Sequence, residues 1–258
     1  MLVDTHCHLT YDEFAPALDA VLARACEAGV SRWITVGTTP ADARRGLELA
    51  RERPGLYVAA GIHPHEAARA DVALLDELRE LHRSNAALVA VGETGLDFHY
   101  DFAPPDVQER VFRAQLALAL EVQRSVIIHA RKAELRVCEI LDEYPALRDR
   151  VVFHCFSGDA GLAERVLAGG WWLSFTGVVT FANADAVRSA ALAAPLDRIL
   201  VETDAPYLSP EPVRKQRPCE PAFTAHTARF LAKLRGVAYE EFAALTTDNA
   251  RRFFGLSV

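Results

Sequence analysis

Of the nine histidines in the chain, His6, His8, His63, His65, His99, His129 and His154 fall at or just beyond the ends of short apolar runs. His6 and His8 stand two apart in Asp4-Thr5-His6-Cys7-His8. On an extended chain, side chains two apart project the same way, so this pair can grip one cation. Glu93 directly follows an apolar segment in Gly92-Glu93-Thr94-Gly95-Leu96-Asp97. An unpaired carboxylate there would be costly to desolvate, whereas one shared between two cations would be well compensated. His129 ends Ile127-Ile128-His129-Ala130-Arg131, and His154 ends Val152-Phe153-His154. Asp204, in Glu202-Thr203-Asp204-Ala205-Pro206-Tyr207, could both hold a metal and accept a proton from water. Glu202 lies two residues earlier and suits a supporting role behind a ligand. Four imidazoles and two carboxylates exceed the needs of one tetrahedral site and suit two metals sharing Glu93.

The segments that must carry these residues recur along the whole chain. Eight apolar, β-branched runs are evident: Met1–Val3, Trp33–Val36, Leu56–Ala60, Leu88–Val91, Val126–Ile128, Val151–Phe153, Trp172–Phe175 and Ile199–Val201. Runs that are apolar almost throughout are those of parallel strands buried on both faces. Amphipathic segments separate them, predicted as helices over Glu13–Ala28, from Pro40, and over Glu66–Arg83, Pro105–Val122, Ala133–Glu143, Ala160–Ala168, Asn183–Ala194, Pro221–Leu234 and Tyr239–Phe254. Strand then helix, eight times over, predicts an α/β fold, a TIM-like (β/α)8 barrel forming a single domain across residues 1–258. All strand C-termini of such a barrel converge on one face. The polar residues above would therefore meet.

Composition narrows the function. Hydrophobic residues make up 51% of the 258 and charged residues 24%, enough apolar surface for a folded core and too much for disorder. No stretch of about 20 residues is free of charges and turn residues, which excludes a membrane-spanning helix. The net charge of -7 argues against a broad basic face for coating a duplex. A narrow mouth with a few basic residues suits a single-stranded end better. Five cysteines (Cys7, Cys26, Cys138, Cys155 and Cys219) are odd in number and scattered, as in a reducing compartment. With no secretion signal at the N-terminus, a cytoplasmic protein is expected, and with no exposed apolar stripe evident, a monomer.

Six segments in this order resemble the TatD-like metal-dependent nucleases of the amidohydrolase barrel superfamily. They are Asp4–Leu9 (DTHCHL), Gly61–His65 (GIHPH), Gly92–Asp97 (GETGLD), Ile128–Arg131 (IHAR), His154–Gly158 (HCFSG) and Glu202–Leu208 (ETDAPYL). The resemblance implies a divalent-metal-dependent hydrolase acting on DNA phosphodiesters, often as a 3′-5′ exonuclease. It implies that His6, His8, Glu93 and Asp204 hold one metal, and that Glu93, His129 and His154 hold the second. His63 would face substrate beside them. One departure follows the last motif, where Cys219 stands in place of the family's usual Asn.

The mechanism expected from this inventory is hydrolysis by water made acidic by cations, with Asp204 taking the proton. Glu93 and Asp204 would thus be the catalytic pair. A mixed imidazole and carboxylate set accepts Zn, Mn, Fe or Co, and Mg more weakly. Arg131 and Lys132, beside a ligand, and the run Arg214 to Arg217 could hold flanking phosphates. Tyr207, Phe98 and Tyr100 could stack on the bases of a frayed strand. The same metal chemistry would also serve an ester or amide, such as an aminoacyl ester of transfer RNA. Neither Lys132, Lys215 nor Lys233 lies in ligand register at a strand end, and Glu93 fills the bridging place that a carbamylated lysine takes in many amide hydrolases. That favours a phosphodiester.

Overall fold

The computed structural model describes residues 1–256. Eight strands pair in chain order, all parallel. They are β1 (Leu2–Cys7), β2 (Val30–Gly37), β3 (Leu56–Ala60), β4 (Leu88–Asp97), β5 (Ser125–Arg131), β6 (Val151–Phe153), β7 (Trp172–Phe175) and β8 (Ile199–Val201). Closure joins β1 to the segment just after β8. There the Asp204 N–H donates to the His6 carbonyl at 2.9 Å, and the His8 N–H donates to the Ala205 carbonyl at 2.8 Å. The predicted (β/α)8 barrel is the observed fold.

Alternation along the strands sorts the core into two layers. Val3, Ile34, Val36, Val89, Ile127, Val152, Trp172 and Leu200 fill the barrel interior. Their neighbours Leu2, Trp33, Val58, Val126, Ile128, Phe153, Leu173 and Val201 face the helices. The surrounding helices are α1 (Leu18–Glu27), α2 (Pro40–Glu52), α3 (Val72–Ser84), α4 (Pro105–Val122), α5 (Glu134–Asp142), α6 (Ala160–Ala168), α7 (Asp185–Ala193) and α8 (Thr224–Arg235). A last helix, α9 (Tyr239–Phe254), covers the N-terminal end of the barrel. Its Phe253 and Phe254 join the interior layer, and the Phe253 carbonyl accepts from the Ser125 hydroxyl at 2.6 Å.

The sheet departs from the sequence expectation chiefly at β1 and β4, which run past their apolar segments into the polar motifs. Both carry register irregularities there, between Asp4 and Cys7 and between Val91 and Thr94. The helix expected from Glu66 is instead a short 3-10 turn, Pro64–Arg69, followed by α3. Asp71 explains the break, since its carboxylate caps α3 by accepting from the Leu74 N–H at 2.8 Å. The first helix likewise begins at Leu18 rather than Glu13. Pro16 has no N–H to give to a helical turn.

Helix α3 is tied to β3 by a buried histidine. His82 Nε2 lies 3.0 Å from the Ala60 carbonyl, while its Nδ1 has no hydrogen-bond partner among the described residues. Burial pushes this imidazole down from 6.5 to about 4, against a smaller upward pull from the Ala60 carbonyl. The unfolded chain therefore takes up the proton first on acidification. Stability is retained above pH 6.5 and declines as pH falls towards 4. His82→Gln keeps a donor for Ala60 but cannot titrate. Between pH 7 and 5 it should lose about 2 kcal/mol less stability than the wild type in urea unfolding. Parallel stability curves for the two proteins would refute this.

Candidate metal centre

The two-residue period that builds the core also aims the polar residues. Ile128, Phe153 and Val201 face the helices from β5, β6 and β8, and the residues that follow them are His129, His154 and Glu202. All three turn into the barrel mouth. On β1 the irregularity after Asp4 sends His6 inward and leaves Cys7 in the outer layer. On β4, Gly95 has φ 143°, and a Cβ there would come within 2.0 Å of the His129 carbonyl. Only glycine lets β4 pass this close to β5.

Glu93 occupies the centre, 3% exposed, and its two oxygens face two different groups. Oε2 lies 3.5 Å from His6 Nε2. His6 Nε2 is in turn 3.4 Å from His8 Nε2 and 3.7 Å from Asp204 Oδ1, and His8 Nε2 is 3.5 Å from Asp204 Oδ1. Ligands about 2.0–2.2 Å from a tetrahedral ion stand roughly 3.3–3.6 Å apart. His6, His8 and Glu93 offer three donor atoms within 4.8 Å of one another, and Asp204 Oδ1 stands beside both imidazoles, so the group has the chemistry to hold a small divalent cation. On the other side, Oε1 lies 2.8 Å from both His129 Nδ1 and His154 Nε2. That second set, Glu93, His129 and His154, offers three donor atoms within 4.8 Å of one another.

Buried carboxylates stand behind the second set. Glu202 Oε1 lies 3.3 Å from His154 Nδ1 and accepts from the Cys155 N–H at 2.6 Å, while its Oε2 accepts from Ser174 and Thr5. Asp97 Oδ2 lies 3.0 Å from His129 Nε2 and 2.9 Å from His65 Nε2. Burial acts to raise the Asp97 carboxyl, but the hydrogen bonds from His129 and His65 outweigh it and hold it well below the usual range. Glu93 follows the same pattern, with burial opposed by His154, His63 and His129. Asp204 is also held low, mainly by His8 against burial. All three are carboxylates at neutral pH.

Asp204 itself is fixed from behind. Its φ of 58° is left-handed, a conformation that costs a non-glycine residue energy and persists only where neighbours enforce it. Enforcement comes through Thr203, whose N–H and hydroxyl both donate to the buried Asp4 carboxylate, at 2.9 and 2.6 Å. Burial raises the Asp4 carboxyl to about 7, with the Thr203 bonds pulling the other way.

His63 lies beside the pair, its Nε2 3.6 Å from Glu93 Oε1. Its Nδ1 accepts from the His65 N–H at 3.1 Å, so Nε2 carries the ring proton. Burial lowers this imidazole to about 4, which keeps it neutral. His63, His65 and His129 are themselves spaced closely enough for an ion. Hydrogen bonds already use the outward nitrogens of that trio, however, so it reads as a support for His129.

At the rim, Arg131 is exposed and its guanidinium lies 4.8 Å from the Tyr100 ring centroid. Tyr207 is half exposed, 6.5 Å from the His8 ring and 6.4 Å from Tyr11. Phe98, expected as a stacking residue, packs against the core instead. Cys155 is not in an extended segment, since β6 ends at Phe153 and Cys155 has φ 43°. Arg214 stacks on Phe181 at 3.8 Å. Cys219 is fully buried, and its N–H anchors the loop by donating to the Pro206 carbonyl at 2.9 Å. That bond is made by backbone, so it does not depend on the side chain at 219.

Sequence reasoning missed Asp97. Its place in the motif was plain, but its role appears only when β4 extends to pair Gly95 with His129 and Asp97 with Arg131. Asp97→Asn keeps an acceptor for the loop N–H groups but removes the charge behind His129. Metal affinity should fall by about 10- to 100-fold with the fold intact, measured by chelator competition alongside circular dichroism. Unchanged affinity would show that Asp97 serves only the loop.

A parallel eight-stranded barrel with imidazoles and carboxylates gathered at ligand spacing in its mouth defines a metal-dependent hydrolase. The profile of one family, the TatD-related DNases, matches residues 3–255. The metal-dependent hydrolase YabD of Bacillus subtilis is 39% identical over 260 residues, covering the whole of both chains. The 3′-5′ ssDNA/RNA exonuclease TatD of Erwinia tasmaniensis is 38% identical, covering 99% of this chain and 100% of its own. In three dimensions the chain superposes on the TatD homologue YJJV of Escherichia coli with a TM-score of 0.93 at 32% identity, covering 99% of this chain and 98% of that one. The chain belongs to the TatD family of metal-dependent hydrolases.

Proposed function

We propose that this hydrolase cleaves phosphodiester bonds at the 3′ ends of single-stranded DNA, removing nucleotides stepwise. The observation that carries the proposal is the division of Glu93, with Oε2 toward the His6, His8 and Asp204 group and Oε1 toward His129 and His154. His6, His8, Glu93 and Asp204 would hold one divalent cation, Zn, Mn or Mg, and Glu93, His129 and His154 a second. Such cations supply acidity to water and positive charge to a phosphoryl group. Support for the substrate comes from the exonuclease relative in Erwinia, alike over the full length.

The chain's own groups complete the chemistry. Asp204, ionised and held in a strained conformation at the rim of the first group, accepts the proton of the attacking water. The neutral His63 presents its Nε2–H to a phosphoryl oxygen above Glu93. Arg131 meets a neighbouring phosphate, and Tyr207 stacks on a base.

The test is cleavage of single-stranded DNA labelled at one end, by protein stripped with chelator and reloaded with Mg, Mn or Zn. Loss of a 3′ label before a 5′ label, restored by metal, is the expected result. Intact DNA with every metal would overturn the proposal, and release of amino acid from aminoacyl-transfer RNA by the same samples would replace it with an ester substrate.

A further inference from the structure

Two exposed aromatic groups stand at the mouth, one on each side of Glu93. On the first-strand side, Tyr11 stacks on His8 with ring centroids 4.8 Å apart, and the half-exposed Tyr207 meets both. On the β4–β5 side stand Tyr100 and Phe102, 43% and 59% exposed, with ring centroids 5.6 Å apart. Phe102 and Tyr100 lie 4.5 and 5.4 Å from the His65 ring. His65 connects through Asp97 to His129, and His129 to Glu93. Each aromatic group is thus only a few side chains from one oxygen of the same carboxylate.

The second group is held rigidly, although it sits on a loop. Asp97 Oδ1 accepts from the His99 and Tyr100 N–H groups at 2.9 and 3.1 Å. The buried Gln108 amide pins both ends of the loop. Its Oε1 accepts from the Asp97 N–H at 2.8 Å, and its Nε2 donates to the Asp97 and Ala103 carbonyls at 2.9 and 2.8 Å. The cation of Arg131 over the Tyr100 ring adds charge at the same edge. Large apolar rings left open to water on a loop this well fixed suit a flat partner, and next to a phosphate-handling centre that partner is a nucleobase.

We infer that Phe102 and Tyr100 form a second base-stacking subsite, so that the scissile phosphate is the link between two unpaired bases, one on Phe102 and one on Tyr207. The inference rests on the nuclease reading above. Its consequence is a requirement for at least two unpaired nucleotides at the cleaved end, since a paired base cannot present its face to a side chain.

The test uses short single strands carrying 2-aminopurine at the terminal or the penultimate 3′ position, with phosphorothioate linkages to slow cleavage. Stacking on an aromatic side chain quenches this base. The wild-type, metal-loaded protein should quench both positions. Phe102→Ala should abolish quenching at one position and Tyr207→Ala at the other, each weakening binding by roughly 5- to 100-fold. Both residues are exposed, so neither substitution removes core packing. Cleavage of DNA by the wild type with no quenching at either position, or with both variants affecting the same base, overturns the second subsite and leaves the nuclease reading standing. Absence of both binding and cleavage overturns the nuclease reading and the subsite with it.

Discussion

Glu93→Ala should abolish turnover and lower metal content at once, because Glu93 turns Oε2 toward His6 and Oε1 toward His129 and His154. The fall in kcat should be about a thousandfold or more, since the charge that would organise both groups is gone. Metal analysis after desalting should find far less than the wild-type content. The two losses must come together. In the apoprotein, removing the carboxylate leaves His6, His129 and His154 without their shared partner. The barrel should survive this, since its core lies below the mouth in the layer from Val3 to Leu200. Full metal content with lost activity would limit Glu93 to a proton-transfer role. Full activity would remove it from the site.

Asp204→Asn separates holding a cation from accepting a proton. The amide keeps an oxygen where Asp204 Oδ1 meets His6 and His8 at 3.7 and 3.5 Å, but it cannot serve as a base. Turnover at saturating Mn should fall by about 10²- to 10⁴-fold. Metal content should fall less than in Glu93→Ala, because His129, His154 and Glu93 are untouched. The carboxylate of Asp204 is held low by His8. In the wild type the group is therefore already ionised across the neutral range, and activity should not depend on its titration there. An asparagine variant within a few-fold of wild-type activity would place the proton acceptor elsewhere.

The barrel and the residues brought together in its mouth were legible because both follow from local rules. A strand apolar on both faces ends where polarity begins, and eight such ends in a parallel barrel converge without any knowledge of contacts. His129 and His154 needed nothing more than the two-residue period after Ile128 and Phe153. Glu202 could be assigned its supporting place from its spacing to Asp204. What escaped depends on pairing between distant segments. Gly92 and Gly95 read as the end of β4, since glycine weakens a strand in isolation. Only contact with β5 shows that they let the strand continue and carry Asp97 to His129 and His65. Tyr100 was legible as a candidate for stacking, but its neighbour Phe102 was not, because their loop is pinned by Gln108 from a helix that starts only after the loop ends. On an extended strand Cys155 would alternate with His154. The Cys155 N–H bond to Glu202 belongs instead to a left-handed turn that also positions His154.

In the proposed function Glu93 joins two cations into one hydrolytic centre. Anomalous diffraction from crystals of the manganese-loaded protein tests it most directly. Two manganese peaks about 3.5–4 Å apart are expected, one among His6, His8 and Asp204 and the other between His129 and His154, with one Glu93 oxygen bound to each. A single peak, or two peaks with Glu93 bound to only one, would contradict it.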